Sequence, residues 1–485
     1  MDFEIKIGLE THVELLTDSK MFCGCSTKFG SPPNTQTCPI CLGHPGTLPV
    51  INKKAINYTI KVALALNCKI ANFTQFHRKN YFYPDLPKGY QISQYDLPVG
   101  LNGYLDIELD GNKKRIRISR VHIEEDTAKL IHFGKTGRIS EAVGSGLDFN
   151  RSGIPLLEIV SAPDIENVEQ AKAYVVLLKR ILEYLEISDC NMEEGKFRID
   201  TNISVRKKED IYSKVRTELK NLNSFRFLEK GLSYEIKRQK EILSKGQKLY
   251  METRHFDSET MTTKPMRVKE VAEDYRYFPE PDLVPMIIDK KWVEEIKKTI
   301  PELPYRRAKR IKEQYNLPNN DVQIITSTKE MADFFEFCAK TYPYPKKISN
   351  WITGDMLYYL NQEQIQIEEC KIKPQNLVEM LRMIDKGLIS GKIAKSVFKD
   401  MFKTGEMPET IVRRKGLEQI SDVEKISNII DEVINGNPDV VKQYLSGKEQ
   451  VLAFFIGQVM KKTKGKANPR IVNDILKKKL KRMSF

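Results

Sequence analysis

The sequence predicts an α+β protein in which an antiparallel-sheet domain precedes helical domains. Apolar residues recur at every second position in many segments between residue 1 and about 290, which is the spacing of half-buried strands. From residue 295 to 485 they recur with helical spacing instead, so sheet and helices occupy separate parts of the chain. Prolines cluster near residue 281 and recur at 301, 304 and 408, and such clusters mark breaks between elements. We therefore expect a sheet domain at 1–293, a helical domain at 294–407 and a small all-α tail at 408–485.

The composition excludes a membrane-spanning or disordered chain. Hydrophobic residues make up 40% and charged residues 30% of the 485 residues, which is ordinary for a globular protein. No apolar run approaches the roughly 20 residues that cross a bilayer, and the acidic N-terminus does not resemble a secretion or transit signal. We expect a cytoplasmic protein without a membrane partner. The net charge of +14 favours a polyanionic partner such as nucleic acid, although a generally lysine-rich proteome would give the same excess.

The first strand carries polar side chains on a single face. In residues 3–15 the odd positions are apolar and the even positions are polar. Because side chains alternate between the two faces of a strand, Glu10, His12 and Glu14 lie on one face.

A second strand is predicted from about Lys114 to Thr127. Its apolar positions change from even to odd near Ser119, which predicts a β-bulge, a feature often found beside active sites. Beyond the bulge, His122, Glu124 and Asp126 share one face, and Glu125 lies on the other.

The carboxylates and the imidazole of these two strands are candidates for a metal site. Glu10, His12 and either Glu124 or Glu125 could converge on a cation, and an oxygen-rich site with one imidazole suits Mg²⁺ or Mn²⁺. The alternative is a set of surface acids paired with the arginines of the second strand. The pattern of residues alone does not decide between the two.

Further elements follow from the same periodicities. A strand at 197–206 and a segment at 214–220 predict an antiparallel hairpin, with Arg198, Asp200 and Arg206 on its polar face. Helical spacing predicts a helix over 168–185, with Asn167 as its N-cap. A single helical pattern also covers 321–342.

Four of the eight cysteines lie in one short segment. Cys23, Cys25, Cys38 and Cys41 form two close pairs separated by a loop, and four thiolates in this arrangement can close a tetrahedral Zn²⁺ site. We expect a structural zinc ion there, with an iron–sulfur cluster as the lesser alternative.

Two segments suit phosphates and bases. Residues 78–95 interleave aromatic and cationic side chains, which is typical of surfaces that stack a nucleotide or an unpaired base; a proline-anchored surface loop is the alternative. Residues 148–153 (DFNRSG) form a glycine-containing loop of the kind that accepts anions, although an ordinary turn would read the same way. The chain has no Walker A motif and no nucleophile elbow, so any nitrogen for amide chemistry would come from elsewhere.

The end of the chain is strongly basic. From Lys461 onward it has ten basic residues against one acid, which predicts a phosphate-contacting surface. The residues that we assign to tRNA contact are Lys461, Lys462, Lys464, Lys466 and Arg470.

Several long motifs together resemble one known family. They are residues 8–15 (GLETHVEL), the four-cysteine loop, residues 77–95, 148–153, 274–282 (DYRYFPEPD), 387–395 (GLISGKIAK) and the Asn468-Pro469 pair. These motifs, in this order and over the whole length, resemble the GatB (B-type) subunits of the bacterial aspartyl/glutamyl-tRNA(Asn/Gln) amidotransferases.

The resemblance implies a fold and a reaction. The N-terminal domain would be a cradle similar to glutamine synthetase, followed by a helical domain and a tRNA-binding tail. With ATP and Mg²⁺, the cradle would phosphorylate the side-chain carboxylate of glutamate or aspartate misacylated onto tRNA. Ammonia from a glutaminase (amidase) subunit would then displace the phosphate, and a small third subunit would join the other two. A non-catalytic tRNA-binding scaffold is the alternative.

The resemblance also implies roles for individual residues. Glu10, His12, Glu124 and Glu125 would be ligands of Mg²⁺ or hold those ligands. By residue type we assign contacts to ATP or to the tRNA 3′ end to Lys79, Tyr81, Tyr83, Lys88, Tyr90, Arg151, Ser152, Arg198, Asp200 and Arg206.

Overall fold

The computed structural model describes residues 2–134, 142–210, 215–268, 275–417, 423–463 and 467–483. The chain divides into two compact units, Met1–Pro304 and Tyr305–Phe485. The first unit is built on a sheet and the second is helical, so the predicted α+β class is confirmed.

The first unit contains sixteen strands among the described residues. Their bounds are β1 Phe3–Glu14, β2 Lys69–Ile70, β3 Phe73–Thr74, β4 His77–Asn80, β5 Tyr90–Ser93, β6 Gly100–Leu109, β7 Asn112–Glu125, β8 Lys129–Phe133, β9 Gly144–Asp148, β10 Pro155–Ser161, β11 Phe197–Lys207, β12 Thr217–Lys220, β13 Glu252–Asp257, β14 Thr262–Val268, β15 Phe278–Pro279 and β16 Met286–Ile287. Its helices are α1 Lys53–Ala65, α2 Val168–Tyr184, α3 Phe225–Ser244 and α4 Lys290–Lys297.

Twelve of these strands form one large sheet. The order is β14-β13-β12-β11-β1-β10-β7-β5-β4-β15, with β6 paired to β7 and β2 paired to β6. The first strand therefore lies near the middle of the sheet, between β10 and β11. Helices α1, α2 and α3 contact β7, β6 and β11, and Ile7, Leu9 and Val13 of β1 are buried.

The predicted hairpin and helix are confirmed, with one refinement of the sheet. Strands β11 and β12 pair antiparallel, and the Asn167 side chain accepts a hydrogen bond from the Gln170 backbone N–H at the start of α2. The sheet is mixed, however, because β12 and β13 pair in parallel. Helix α3 connects these two strands, and parallel neighbours require such a crossover.

The predicted bulge lies where the phase of β7 changes. Val160 of β10 faces Arg120, whereas the next residue, Ser161, faces Ile118. Ser119 is thus the extra residue of the bulge. It shifts the alternation of side chains by one position, and His122 and Glu124 then lie on the same face.

The second unit is entirely helical in its described residues. Its α-helices are α5 Pro304–Tyr315, α6 Asn319–Ile325, α7 Lys329–Thr341, α8 Pro345–Trp351, α9 Leu357–Glu363, α10 Pro374–Asp385, α11 Gly391–Thr404, α12 Pro408–Lys415, α13 Val423–Asn435, α14 Pro438–Leu445, α15 Leu452–Lys462 and α16 Pro469–Arg482. A π-helical segment, Ile352–Met356, joins α8 to α9.

Two separate apolar clusters stabilise this second unit. One extends from Ile311 to Val412 and the other from Ile426 to Leu480. Helix α12, which follows the predicted boundary at 407, packs in the first cluster through Ile411 and Val412. The three-domain division at 293 and 407 stays a prediction.

Candidate functional site

Three potential metal ligands from three neighbouring strands meet on the polar face of the large sheet. His12 of β1, Glu124 of β7 and Glu158 of β10 each offer one ligand atom, and these atoms lie within 4.8 Å of one another. The pairing register explains the meeting, because His12 lies opposite Glu158 and Glu158 lies opposite His122. The three side chains thus form a candidate cation site, and we call them the His12–Glu124–Glu158 cluster.

Glu158 is the most heavily contacted member of the cluster. Its carboxylate lies 3.7 Å from His12 Nε2, 3.2 Å from His122 Nε2 and 3.5 Å from a terminal nitrogen of Arg120. Burial opposes ionisation of Glu158, but the two imidazoles outweigh it and hold its pKa well below the usual value. Conversely, burial disfavours charge on His12, while Glu158 and Glu124 raise its pKa. The geometry and charges favour an ionised Glu158.

Glu10 lies beside this cluster rather than within it. It faces Asp200 across the β1–β11 pair, and its carboxylate accepts a hydrogen bond of 3.1 Å from the Asn202 side chain. Burial and then the nearby Glu158 raise its pKa. An additional positive charge in the cluster would relieve that repulsion.

Glu125 points to the opposite face of β7. It forms an ion pair with Lys88 and accepts a hydrogen bond of 3.0 Å from the Ile92 backbone N–H. Both side chains line a cavity of about 230 Å³ that Cys23 and Cys41 also line. Glu124, and not Glu125, therefore shares the face of His12, while the ligand role of Glu125 stays a prediction.

Cationic side chains lie at one end of the cluster. Arg198 donates to Asp126 at 2.8 Å, and Arg151 lies 3.6 Å from the same carboxylate. Arg151 also donates to the carbonyls of Thr127 and Ala128. Next to this group, burial and the adjacent Asp126 raise the pKa of Glu14 to about 8. Two arginines here provide positive charge of the kind that phosphoryl groups need.

Tyrosines pack together beside the cluster, where the Tyr95 ring meets the His122 ring edge-on with centroids 6.0 Å apart. Tyr95 and Tyr277 stack with their ring centroids 5.1 Å apart, and Tyr81 packs edge-on against Tyr275. Burial, and then the charge of Glu124, raise the pKa values of Tyr81 and Tyr277, and the Tyr81 hydroxyl donates a hydrogen bond of 3.3 Å to the Gln91 side chain. Lys79 lies over the Tyr275 ring at 5.0 Å.

The remaining predicted contacts are dispersed. Tyr83 is exposed, and Tyr90 stacks under the Arg78 guanidinium. Ser152 is buried and donates to the Cys41 carbonyl. Asp200 lies next to Lys220. Arg206 pairs with Glu4, eight residues from His12 along β1, so the structure does not bring it to the cluster.

Four candidate functional residues were not predicted from the sequence: Glu158, His122, Tyr95 and Tyr277. Glu158 lies in the largely apolar segment Pro155–Ser161, where a single charged residue within a buried strand was the available signal. His122 is fully buried, and its Nε2 atom lies 3.2 Å from the Glu158 carboxylate. Tyr95 and Tyr277 lie in the motifs at residues 77–95 and 274–282. Their stacking depends on a contact between these two segments, which are distant in the sequence.

The four cysteines come together as their spacing predicts. Their sulfur atoms all lie within 4.8 Å of one another, and those of Cys38 and Cys41 are 3.9 Å apart. A tetrahedral site with Zn–S bonds of about 2.3 Å requires sulfurs about 3.8 Å apart, so the residues fit zinc. A hydrogen bond from Cys23, together with the nearby Lys20, lowers the pKa of Cys41.

Part of the basic tail is described. Lys461 and Lys462 are exposed near the end of α15, and Lys462 pairs with Glu432. Lys464 and Lys466 lie outside the described residues, as does the side chain of Arg470. No helix in the described part of the chain has the length and apolar character needed to cross a membrane.

Comparisons with known proteins define the family. A family model described as the GatB/GatE catalytic domain matches residues 5–294, and one described as the GatB domain matches residues 333–480. The first match alone covers more than half of the chain, and its span contains the His12–Glu124–Glu158 cluster and the four cysteines. The chain belongs to the GatB/GatE family.

Curated relatives agree over nearly the full length. A protein of Caldanaerobacter subterraneus subsp. tengcongensis is 55% identical over 480 residues, which is 99% of this chain and 100% of the relative. Proteins of Thermoanaerobacter sp. and Geobacter sulfurreducens are 54% and 51% identical, each over 99% of this chain and 100% of the relative. All three are named as the B-type subunit of aspartyl/glutamyl-tRNA(Asn/Gln) amidotransferase. The resemblance inferred from the motifs is confirmed.

Proposed function

We propose that this chain is the subunit of a tRNA-dependent amidotransferase that activates the side-chain carboxylate of Glu-tRNA(Gln) or Asp-tRNA(Asn). The carboxylate oxygen would attack the γ-phosphorus of ATP, giving an acyl phosphate and ADP. Ammonia would then attack the carbonyl carbon, and inorganic phosphate would leave, giving the amide. A glutaminase (amidase) subunit would supply the ammonia, and a small third subunit would complete the complex in the cytoplasm.

The His12–Glu124–Glu158 cluster is the observation that carries this proposal. Phosphoryl transfer depends on positioning and charge neutralisation rather than on a protein nucleophile. His12, Glu124 and Glu158 would hold Mg²⁺, which when bound would neutralise the charge of the triphosphate. Two carboxylates and one imidazole are a donor set that Mg²⁺ or Mn²⁺ accepts, with Glu10 and Glu125 as further proposed contributors.

The surrounding side chains suit the substrates. Arg151 and Arg198 lie beside Asp126, two residues from Glu124, and Lys79 lies over the Tyr275 ring. These cations would bind phosphate oxygens, while Tyr81 and Tyr277 would enclose the reacting groups and exclude water. The exposed lysines of α15 and α16 would bind the tRNA backbone. The four cysteines would hold a structural Zn²⁺ ion.

The test is Glu124→Gln in the assembled complex with misacylated tRNA and ATP. Hydroxylamine traps an acyl phosphate as a hydroxamate, and we expect the trapped yield to fall by at least about 100-fold, the usual effect of removing a group that stabilises developing charge. The affinity for tRNA should be unchanged. Glu108→Gln, which makes the same change at an exposed position of β6, is the matched control.

The same experiment separates the proposal from its alternative. If Glu124→Gln trapped as much hydroxamate as the wild type, the chain would act as a tRNA-binding scaffold without catalysing activation. His12→Ala should reproduce the loss, because it removes a second member of the same cluster.

A further inference from the structure

Lys20 is a buried ammonium group without a carboxylate partner. The residue is only 1% exposed, and no carboxylate in the part of the chain that the structure describes forms an ion pair with it. Its Nζ atom instead lies 3.6 Å from Cys41 Sγ and donates a hydrogen bond of 3.1 Å to the Phe149 carbonyl. The location is unexpected, since lysine is almost never fully buried unless it is paired.

A metal bound to the four cysteines would explain this location. Four thiolates and one Zn²⁺ ion carry a net charge of −2, which the low-dielectric interior does not tolerate without compensation. Lys20 supplies one positive charge directly beside a ligand sulfur. The Cys38 backbone N–H also donates to Cys41 Sγ at 3.2 Å, so this sulfur has two donors aimed at it.

We propose that Lys20 balances the charge of the four-cysteine metal site. Through Lys20, metal binding at this site would be coupled to the order of the loop formed by residues 147–153. The inference rests on the proposed zinc binding and goes beyond it, because it assigns a residue that is not a ligand. Groups that contact metal ligands without binding the metal commonly tune affinity and orientation.

The loop formed by residues 147–153 is fastened to the cysteine segment at several points. Asn34 donates to the Leu147 carbonyl at 2.9 Å and accepts from the Phe149 backbone N–H at 2.7 Å. The Gln36 backbone N–H donates to the Asn150 side chain at 2.8 Å. These bonds join the irregular cysteine segment to the end of β9 and the turn that follows it, so the order of that turn depends on what holds the cysteine segment together.

Gly153 marks the closest approach of the two segments. Its φ angle is +86°, and a Cβ atom there would lie 3.4 Å from the Lys20 side chain and 3.5 Å from the Cys41 Cβ. The Met21 backbone N–H donates to the Gly153 carbonyl at 2.7 Å. The side chains of Lys20 and Cys41 therefore pack directly against Gly153.

The loop in turn leads to the candidate catalytic face. Arg151 extends from the loop to the Thr127 and Ala128 carbonyls and lies near Asp126. Asp126 is two residues from Glu124 and binds Arg198. Loss of order in the loop would therefore displace a cation that we assign to phosphate binding.

The test replaces Lys20 by methionine, which keeps a similar stem without the charge. The full-length chain is titrated with Zn²⁺ against a chromophoric chelator, and we expect Lys20→Met to weaken zinc binding by about 10- to 100-fold. Lys28→Met is the matched control, because Lys28 is an exposed lysine of the same segment. The zinc affinity of this control variant should equal that of the wild type. Cobalt substitution reports on the ligand set, since thiolate-to-Co²⁺ absorption shows whether four sulfurs still bind.

A second measurement uses the wild-type chain alone and does not depend on the folding of a variant. Removal of zinc by a chelator should accelerate amide hydrogen exchange in residues 147–153 several-fold, while the amides of β11 keep their protection. Equal zinc affinities of Lys20→Met and the wild type, or unchanged exchange in the loop after chelation, would overturn the coupling role. A wild-type chain that binds no zinc would instead overturn the metal site itself.

Discussion

At the scale of single residues, the face of the sheet on which a charged side chain lies decides which groups it can contact. Glu158 and Glu124 lie on the face of His12, whereas Glu125, one residue from Glu124, faces Lys88 on the other side. Alternation along β7 predicted that Glu124 and Glu125 lie on opposite faces, because period two follows from backbone geometry, and the choice between them as a metal ligand stays a prediction. Glu158 could not be found in this way, since its importance depends on the pairing of β10 with both β1 and β7.

Arg78 and Glu280 form a buried pair that stabilises the first unit. Both oxygens of Glu280, which is 1% exposed, accept from Arg78 at 2.7 and 2.8 Å. We expect Arg78→Met to destabilise the unit by about 3 kcal/mol, because it leaves a buried carboxylate without its positively charged partner. Urea unfolding followed by far-UV circular dichroism measures the change.

The control for this prediction is a similar pair on the surface. Arg115 makes the same two-point contact with Asp106 but is exposed, and surface pairs add little stability. Arg115→Met should leave the midpoint unchanged. A loss of stability as large as that of Arg78→Met would show that burial does not govern these pairs.

At the scale of elements, local signals predicted helices better than they predicted their breaks. The Asn167 cap fixed the start of α2, but the single pattern over 321–342 is two helices, α6 and α7. Thr328 is extended and its hydroxyl accepts from the Met331 backbone N–H at 3.2 Å. Helix α6 ends at Ile325, and Thr328 is the N-cap that begins α7. The apolar spacing continues almost unchanged across this break.

An acidic transition is expected where α5 meets α7. Glu336 accepts from Arg307 and Arg310; burial would raise its pKa, but the two arginines outweigh burial and lower it below the usual 4.5. A carboxyl whose pKa is lowered by folding stabilises the folded state above its unfolded pKa and loses that contribution as pH falls through the folded value. Stability of the helical unit should therefore decrease below about pH 4.5.

Glu336→Gln isolates this contribution. The variant should be less stable than the wild type at pH 7, and the difference should shrink as pH falls below about 4.5, as measured by thermal unfolding at several pH values. Glu313→Gln, at an exposed position of α5, should follow the wild-type curve. A difference between Glu336→Gln and the wild type that is constant with pH would contradict the assignment.

At the scale of the whole molecule, the periodicity of the sequence predicted the order of the sheet and helical parts, and the limits at 293 and 407 stay predictions. The compact sheet unit extends to Pro304, and α12 packs in the first apolar cluster through Ile411 and Val412. Boundaries depend on which apolar faces pack together, and proline positions report only where a segment ends.

The tail offers a test of the proposed tRNA contact that preserves its fold. Deleting α16 would remove Val472, Leu476 and Leu480, which are buried in the second apolar cluster. Lys477 and Lys478 are exposed on the same helix. Replacing both by glutamine should weaken tRNA binding and reduce the slope of log K against log salt by about 1 for each lost phosphate contact.

Lys290 and Lys291 provide the control for the tail. They are adjacent, exposed lysines of α4 in the first unit, so the same double replacement changes the net charge equally. Binding measured between 50 and 200 mM salt (about the range over which such slopes are read) should show an unchanged slope for this control. Equal slopes for both double variants would place the tRNA contact elsewhere.

The central place of β1 in the sheet has a consequence for synthesis. Strand β1 is synthesised before its neighbours β10 and β11, which end at Ser161 and Lys207. At translation rates of roughly 5 to 20 residues per second, β1 waits about 10 to 40 s for both partners. An alternating apolar strand held open for that long is exposed to wrong pairing, so β1 is a segment that a chaperone would need to protect during synthesis.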